Sequence, residues 1–194
     1  MLDMKLPKDV QSIIDAQTPK LLRVPFEKTL KEKFEILKNQ MISDFLNHPV
    51  SQEISEGPQA SNSSGCLGGY GNLFSFIGFE DGDEPLKPIL EQLQASNFIY
   101  SGDVASGVKF SIILPTAKEI FEATPMPWAS GRSWAKGIES GISGLGFYLN
   151  LKSKNSRSGA GVQTSVKANT KRFKNQQYIS LLINKYNNLF AQLK

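Results

Sequence analysis

Apolar residues recur at spacings of three and four along Phe26, Leu30, Phe34, Leu37, Met41 and Phe45. That period predicts an amphipathic helix over residues 26–47 with one apolar stripe. His48-Pro49 ends it, because the residue before a proline is pushed away from helical backbone angles. Glu27 and Lys31 stand four apart in the orientation that favours pairing. Residues 1–25 hold Pro7, Pro19 and Pro25 among scattered Ile and Leu. They read as an N-terminal arm, with a turn or two of helix around 10–16, that gains order on another surface.

Between Val50 and Gly71 the pattern dissolves into a long loop carrying Gly57-Pro58, Ser63-Ser64-Gly65 and Gly68-Gly69. Asn72 to Phe79, with Phe74, Phe76 and Phe79, reads as a strand. A helix is predicted from Pro85 to Gln94, after the acidic turn Asp81-Gly82-Asp83-Glu84. Phe98–Tyr100 and Gly107–Leu114 form an antiparallel pair with a turn at 101–103. Thr116-x-x-Glu119 matches a capping box that opens a short helix ending at Thr124-Pro125. Residues 147–151 and 162–168 read as a hairpin with a long basic tip, and residues 171–192 as a last helix. Asn184, Asn187 and Asn188 fall on the outer face of that helix. The outcome is an α+β fold: a small antiparallel β-sheet packed with a long N-terminal and a long C-terminal helix. The arm and the long loops add to one domain over residues 26–194.

The stretch Pro125–Leu149 holds both tryptophans, Trp128 and Trp134, with Arg132, Lys136 and Glu139. Gly131 and Ser130 supply a turn before a helix over 133–139, on which Trp134 and Ile138 share a face. Such a segment, with Trp128, Arg132 and Trp134 at its hinge, packs one element onto another; a buried indole needs an apolar bed and a partner for its N–H.

Composition adds charge asymmetry. Of 22 Lys and Arg, 9 lie after residue 142, where no Asp or Glu occurs; the remainder carries 13 against 18 acidic residues. A basic end on an acidic body suits a polyanion, or a ring in which one subunit's basic end meets its neighbour's acidic surface. Lys152, Lys154 and Arg157 form the basic tip. Gly65, Gly68, Gly69 and Tyr70 form a candidate interface loop, since their spacing matches neither phosphate-binding glycine motif. One cysteine, Cys66, excludes an internal disulfide framework. The first residues lack the apolar run of a signal peptide, and no stretch reaches membrane-spanning length.

Catalytic chemistry finds few candidates. His48 is the one histidine, and the nucleophile-elbow and cysteine-protease signatures are both missing. One Cys and one His make a zinc site a poor expectation. The carboxylates near 81–84 and 119–122 have turn and helix-start explanations. No enzyme, metal or cofactor is therefore expected.

The runs Trp128-Ala-Ser-Gly-Arg-Ser-Trp134, Gly137-Ile-Glu-Ser-Gly141 and Ser143-Gly-Leu-Gly-Phe-Tyr-Leu149 resemble segments of virion structural proteins of tailed bacteriophages. The layout is similar to neck and tail-completion proteins: a long N-terminal helix, a Pro-Val element (Pro49-Val50), a Ser-Gly-x-Leu element (Ser64-Gly65-Cys66-Leu67), then a small sheet with helices. The resemblance implies a homo-oligomeric ring at the head–tail junction, joining portal or adaptor to tail proteins. It further implies assembly in the host cytoplasm, residence in the virion and non-specific contact with packaged DNA. A tail terminator or tail-tube protein is the alternative within the virion. Outside it stands a nucleic-acid-binding protein, in which Phe147, Tyr148 and Phe173 would stack on bases.

Overall fold

Helix α1 runs from Lys8 to Leu46 and carries the rest of the fold on its second half. In the computed structural model, residues 8–68, 71–104, 107–142 and 173–193 are described. After α1 come α2 (Pro49–Ser55), a 3-10 turn (Gly57–Gln59), α3 (Leu73–Ile77), α4 (Lys87–Gln94), β1 (Asn97–Val104) and β2 (Gly107–Ile113). Then follow α5 (Ala117–Glu122), β3 (Pro125–Met126), β4 (Ala129–Ser133), α6 (Trp134–Ser140) and α7 (Ile179–Ala191). The expected α+β class, with long helices at both ends and small antiparallel pairings between them, is what the chain adopts.

The predicted stripe on α1 is the centre of the core. Phe34, Met41 and Phe45 are fully buried. Phe34 meets Phe190 of α7 at 5.4 Å and Phe98 of β1 at 5.9 Å. Val50 and Ile54 of α2, Ile89 and Leu93 of α4, Ile120 of α5 and Ile138 of α6 close the same cluster. Each such side chain contributes about 1.5–3 kcal/mol by leaving water. Across the first contact, Asp44 accepts hydrogen bonds from Lys185 Nζ at 2.6 Å and from the Tyr186 hydroxyl at 2.7 Å. These bonds hold its carboxyl below the usual carboxylate range.

The strands form two separate antiparallel ladders, β1–β2 and β3–β4. In the first, Phe98 pairs with Ile112 and Tyr100 with Phe110, and a bulge falls between Tyr100 and Gly102. The expected turn at 101–103 is therefore this bulge. The strand continues to Val104, paired with Gly107. On the inner face, Phe98 stacks on Phe110 at 5.0 Å, and the Arg23 guanidinium of α1 lies 3.9 Å over the Tyr100 ring. The capping box on α5 is present, with Thr116 and Glu119 bonded reciprocally.

Five expectations are corrected. The arm region from residue 8 onward is helical and continuous with α1, through Pro19 and Pro25. Each proline removes one helix donor; the residues around Pro25 are exposed, so water can take the freed carbonyl. The stretch 72–79 contains helix α3 (Leu73–Ile77), not a strand: the Asn72 side chain accepts from Ser75 N at 2.9 Å, and Gly78 ends the helix in left-handed backbone. Within the long loop, residues 49–55 are helical, with His48 as the N-cap of α2. The last helix starts at Ile179, because residues 173–178 run without helix beside the loop and α6. Glu27, expected to pair with Lys31, meets Arg23 at 3.7 Å.

Candidate functional site

The segment Phe173–Tyr178 joins three parts of the chain that lie far apart in sequence. Lys174 N donates to Cys66 O at 2.8 Å, and Gln176 N donates to Ile138 O at 3.1 Å. The Gln176 side-chain amide donates to Ser64 O at 2.9 Å, and Phe173 stacks on Phe76 at 5.9 Å. Buried Tyr178 shares a 2.7 Å hydrogen bond with Ser51 and packs 4.9 Å from His48. Burial pushes its phenol far above the ordinary value, so it stays neutral. At the start of α7, Glu139 of α6 accepts from Ser180 N at 2.7 Å and Ser180 Oγ at 2.6 Å, serving as a cap from another helix.

Glu53 is the key to the loop. It is 0% exposed, and its two carboxylate oxygens accept Ser64 N at 2.9 Å and Leu73 N at 2.7 Å. One side chain thereby fastens both ends of the Gly/Ser loop to α2. Asn72 adds a bond from its amide to Pro58 O at 2.8 Å. Sequence reasoning passes over Glu53. The available signal was an acidic residue three after Val50 on the apolar face of a short helix, followed by a stretch rich in unpaired backbone N–H groups.

Of the residues expected at an interface loop, Gly65 and Gly68 have φ values of +70° and +60°, which favour glycine, while Gly69 and Tyr70 lie outside the described residues. The loop base is not free: Ser64, Cys66 and Leu67 are buried. Burial also pushes the Cys66 thiol up, which suppresses its thiolate. The basic tip, Lys152, Lys154 and Arg157, and the hairpin predicted around it lie outside the described residues.

The hinge residues divide. Trp134, at the start of α6 and capped by Ser133, is 2% exposed, with its ring edge-on to Phe79 at 5.8 Å. Trp128 sits in the turn between β3 and β4 and donates its indole N–H to Ile77 O at 2.7 Å. Arg132 is exposed on β4. The turn expected at 130–131 is strand, and the reversal falls at 127–128. Both tryptophans thus serve packing.

Among the described residues, open apolar surface lies on the hairpin. The outer face of β1–β2 exposes Ile99, Val104 and Ile113. A groove of about 380 Å³ lies between that hairpin, Leu30 of α1 and Phe190 and Leu193 near the end of α7. Among the described residues no group of His, Cys, Asp and Glu could hold a metal ion, and no helix is long and apolar enough to cross a membrane. No family model, curated protein or solved structure matches the chain.

Proposed function

We propose that this chain is a structural, non-catalytic subunit of a tailed-phage virion, forming a ring at the head–tail junction between portal or adaptor and tail. The observation that carries this reading is the open outer face of the hairpin. Among the described residues, β1–β2 is a two-stranded ladder that lies on α1 by one face and presents Ile99 and Ile113 on the other. A two-stranded ladder is marginal alone and gains from a covering surface. A copy-to-copy contact of this head-to-tail kind closes into a ring when its rotation permits. The acidic turn at 80–84, exposed throughout, offers a face for the neighbour's basic tip at Lys152, Lys154 and Arg157. The same tip could instead meet phosphates of DNA in the channel, a contact that weakens with salt.

The reading is tested by native mass and electron microscopy of the protein with portal and tail-tube preparations, and by mass spectrometry of purified virions. A ring on the portal, lost in Ile99→Lys and Ile113→Lys variants that keep their helical signal, is the expected result. A ring on the tail tube alone would move the subunit to the tail terminator. Absence from virions overturns the proposal, and tight salt-sensitive DNA binding by the monomer would replace it with the nucleic-acid reading.

A further inference from the structure

Between α3 and α4 the chain reverses on the dipeptide Asp81-Gly82, which stands clear of the fold. Asp83 N donates to Glu80 O at 3.0 Å, closing a four-residue turn with Asp81 and Gly82 at its centre. Gly82 has a φ of +93°, and among the described residues no other residue type has a positive φ. The turn is therefore of type II, whose third position favours glycine. It is pinned at its ends: Glu80 N donates to Asp83 Oδ2 at 2.7 Å, and Lys87 Nζ meets Glu84 at 3.0 Å. At its centre, the Asp81 carboxylate and the Gly82 N–H have no hydrogen-bond partner among the described residues. Both residues are exposed, and a Cβ built on Gly82 would meet nothing within 4 Å.

Such a dipeptide holds a nucleophile and an electrophile side by side in one chain. The amide nitrogen after an aspartate can attack the side-chain Cγ and close a five-membered succinimide. A C–N bond forms, the Cγ–OH bond of the protonated carboxyl breaks, and one water leaves with the amide hydrogen. Water then opens the ring. Attack at Cγ restores aspartate; attack at the other carbonyl leaves isoaspartate, whose main chain runs through Cβ and Cγ. The reaction needs an amide that is not held in a helix or ladder and a following side chain that does not crowd it. Other aspartates of the fold fail these conditions. Asp44 accepts from Lys185 and Tyr186 and is followed by Phe45 within α1. Asp83 holds Glu80 N and is followed by Glu84. Asp103 accepts from the Tyr100 hydroxyl at 2.6 Å and is followed by β-branched Val104 on the ladder.

We infer that Asp81 is a modification site: in the folded protein it isomerises spontaneously to isoaspartate, with water as the only co-reactant. The carboxylate is retained, so the net charge stays the same and the effect is one of geometry. The main chain between Glu80 and Asp83 gains one atom, which breaks the bond that closes the turn and loosens the entry to α4. The inference is independent of the ring reading, because the reaction takes place within one chain.

The test holds the full chain at neutral pH and physiological temperature for weeks in water enriched in oxygen-18. Digestion in acid and electron-transfer fragmentation then distinguish isoaspartate from aspartate at each position. Isoaspartate carrying oxygen-18 should accumulate at position 81, at a rate within a few-fold of that in a free peptide spanning residues 78–86. Asp44, Asp83 and Asp103 should stay unchanged. Asp81→Glu keeps the charge but would need a six-membered ring, so it should lose the product while its circular dichroism and melting match wild type. In the aged protein the Asp83 amide should exchange faster with solvent, since its acceptor has moved. Aspartate alone at position 81 after the free peptide has converted would overturn the proposal. Equal conversion at Asp44 or Asp103, or product that forms only in denaturant, would overturn it as well.

Discussion

The Trp128 indole N–H is bonded to the carbonyl oxygen of Ile77, 51 residues earlier, at 2.7 Å. This pair locks the β3–β4 turn onto the end of α3. Gly78 is part of the same lock: its φ is +95°, and a Cβ added there would stand 3.1 Å from Trp128 Cδ1. Replacing Trp128 by Phe keeps the apolar contact and loses the bond, at a cost of about 1 kcal/mol. Gly78→Ala adds backbone strain to the clash and should cost about 2 kcal/mol or more. Urea denaturation of both single variants and the double variant checks this; the double should cost less than the two singles together, because a ring no longer held by the bond to Ile77 is free to move away from the added Cβ.

Glu53→Gln replaces one of two acceptor oxygens by a donor facing a backbone N–H. Hydrogen bonds to a charged group contribute about 1.5–3 kcal/mol each, so the variant should lose about 2 kcal/mol. Hydrogen exchange should localise the loss: the amides of Ser64 and Leu73 ought to become fast before the core of α1 does. Equal protection in variant and wild type would contradict the role assigned to the carboxylate.

His48 ties stability to pH. Its Nδ1 accepts the Val50 N–H at 3.2 Å, which requires an unprotonated nitrogen. Burial lowers its pKa from 6.5, against a smaller opposing contribution from the Gln177 backbone. The folded state therefore binds fewer protons than the unfolded state. The stabilisation is held in full above the unfolded value of 6.5, and is lost as pH falls from there through the lower folded value. Melting temperatures measured downward from neutral pH should drop, and the drop should be shallower in His48→Asn, whose side chain still caps α2.

Cys66 should resist alkylation in the native protein. Its thiol is fully buried and its pKa is raised by burial. Reaction with a thiol reagent should be slow in buffer and accelerate in denaturant, tracking the opening of the loop base. Fast native reaction would mean that the Lys174–Cys66 backbone bond does not hold the segment closed.

The elements that sequence made legible are those with local causes. The helical period from Phe26 to Phe45 and the alternation of Val108, Phe110 and Ile112 lead directly to α1 and β2. The Thr116–Glu119 box stays within four residues of itself and caps α5 as expected. Residues 72–79 misled because Phe74, Phe76 and Phe79 imitate strand alternation. The deciding groups were the Asn72 cap and the left-handed Gly78, which turn Leu73, Phe74 and Ile77 inward together. Pro19 and Pro25 masked the first half of α1 in the same way. Glu53, Gln176 and Glu139 were illegible for another reason: each acts on a backbone group brought near only by the tertiary fold. The basic tip at Lys152, Lys154 and Arg157 rests on sequence alone.

The contact of α1 with α7 has a consequence for how the protein is made. Phe34 is covered by Phe190, and Asp44 is met by Lys185 and Tyr186. Translation delivers Asp44 141 residues ahead of Lys185, and Phe34 earlier still relative to Phe190. Until then the nascent chain carries an apolar helix with no lid, together with the α2, α5 and α6 surfaces that α7 and Tyr178 will seal. Such a chain leaves apolar surface open to water while it is still being synthesised, and the closing of its core waits on the arrival of α7.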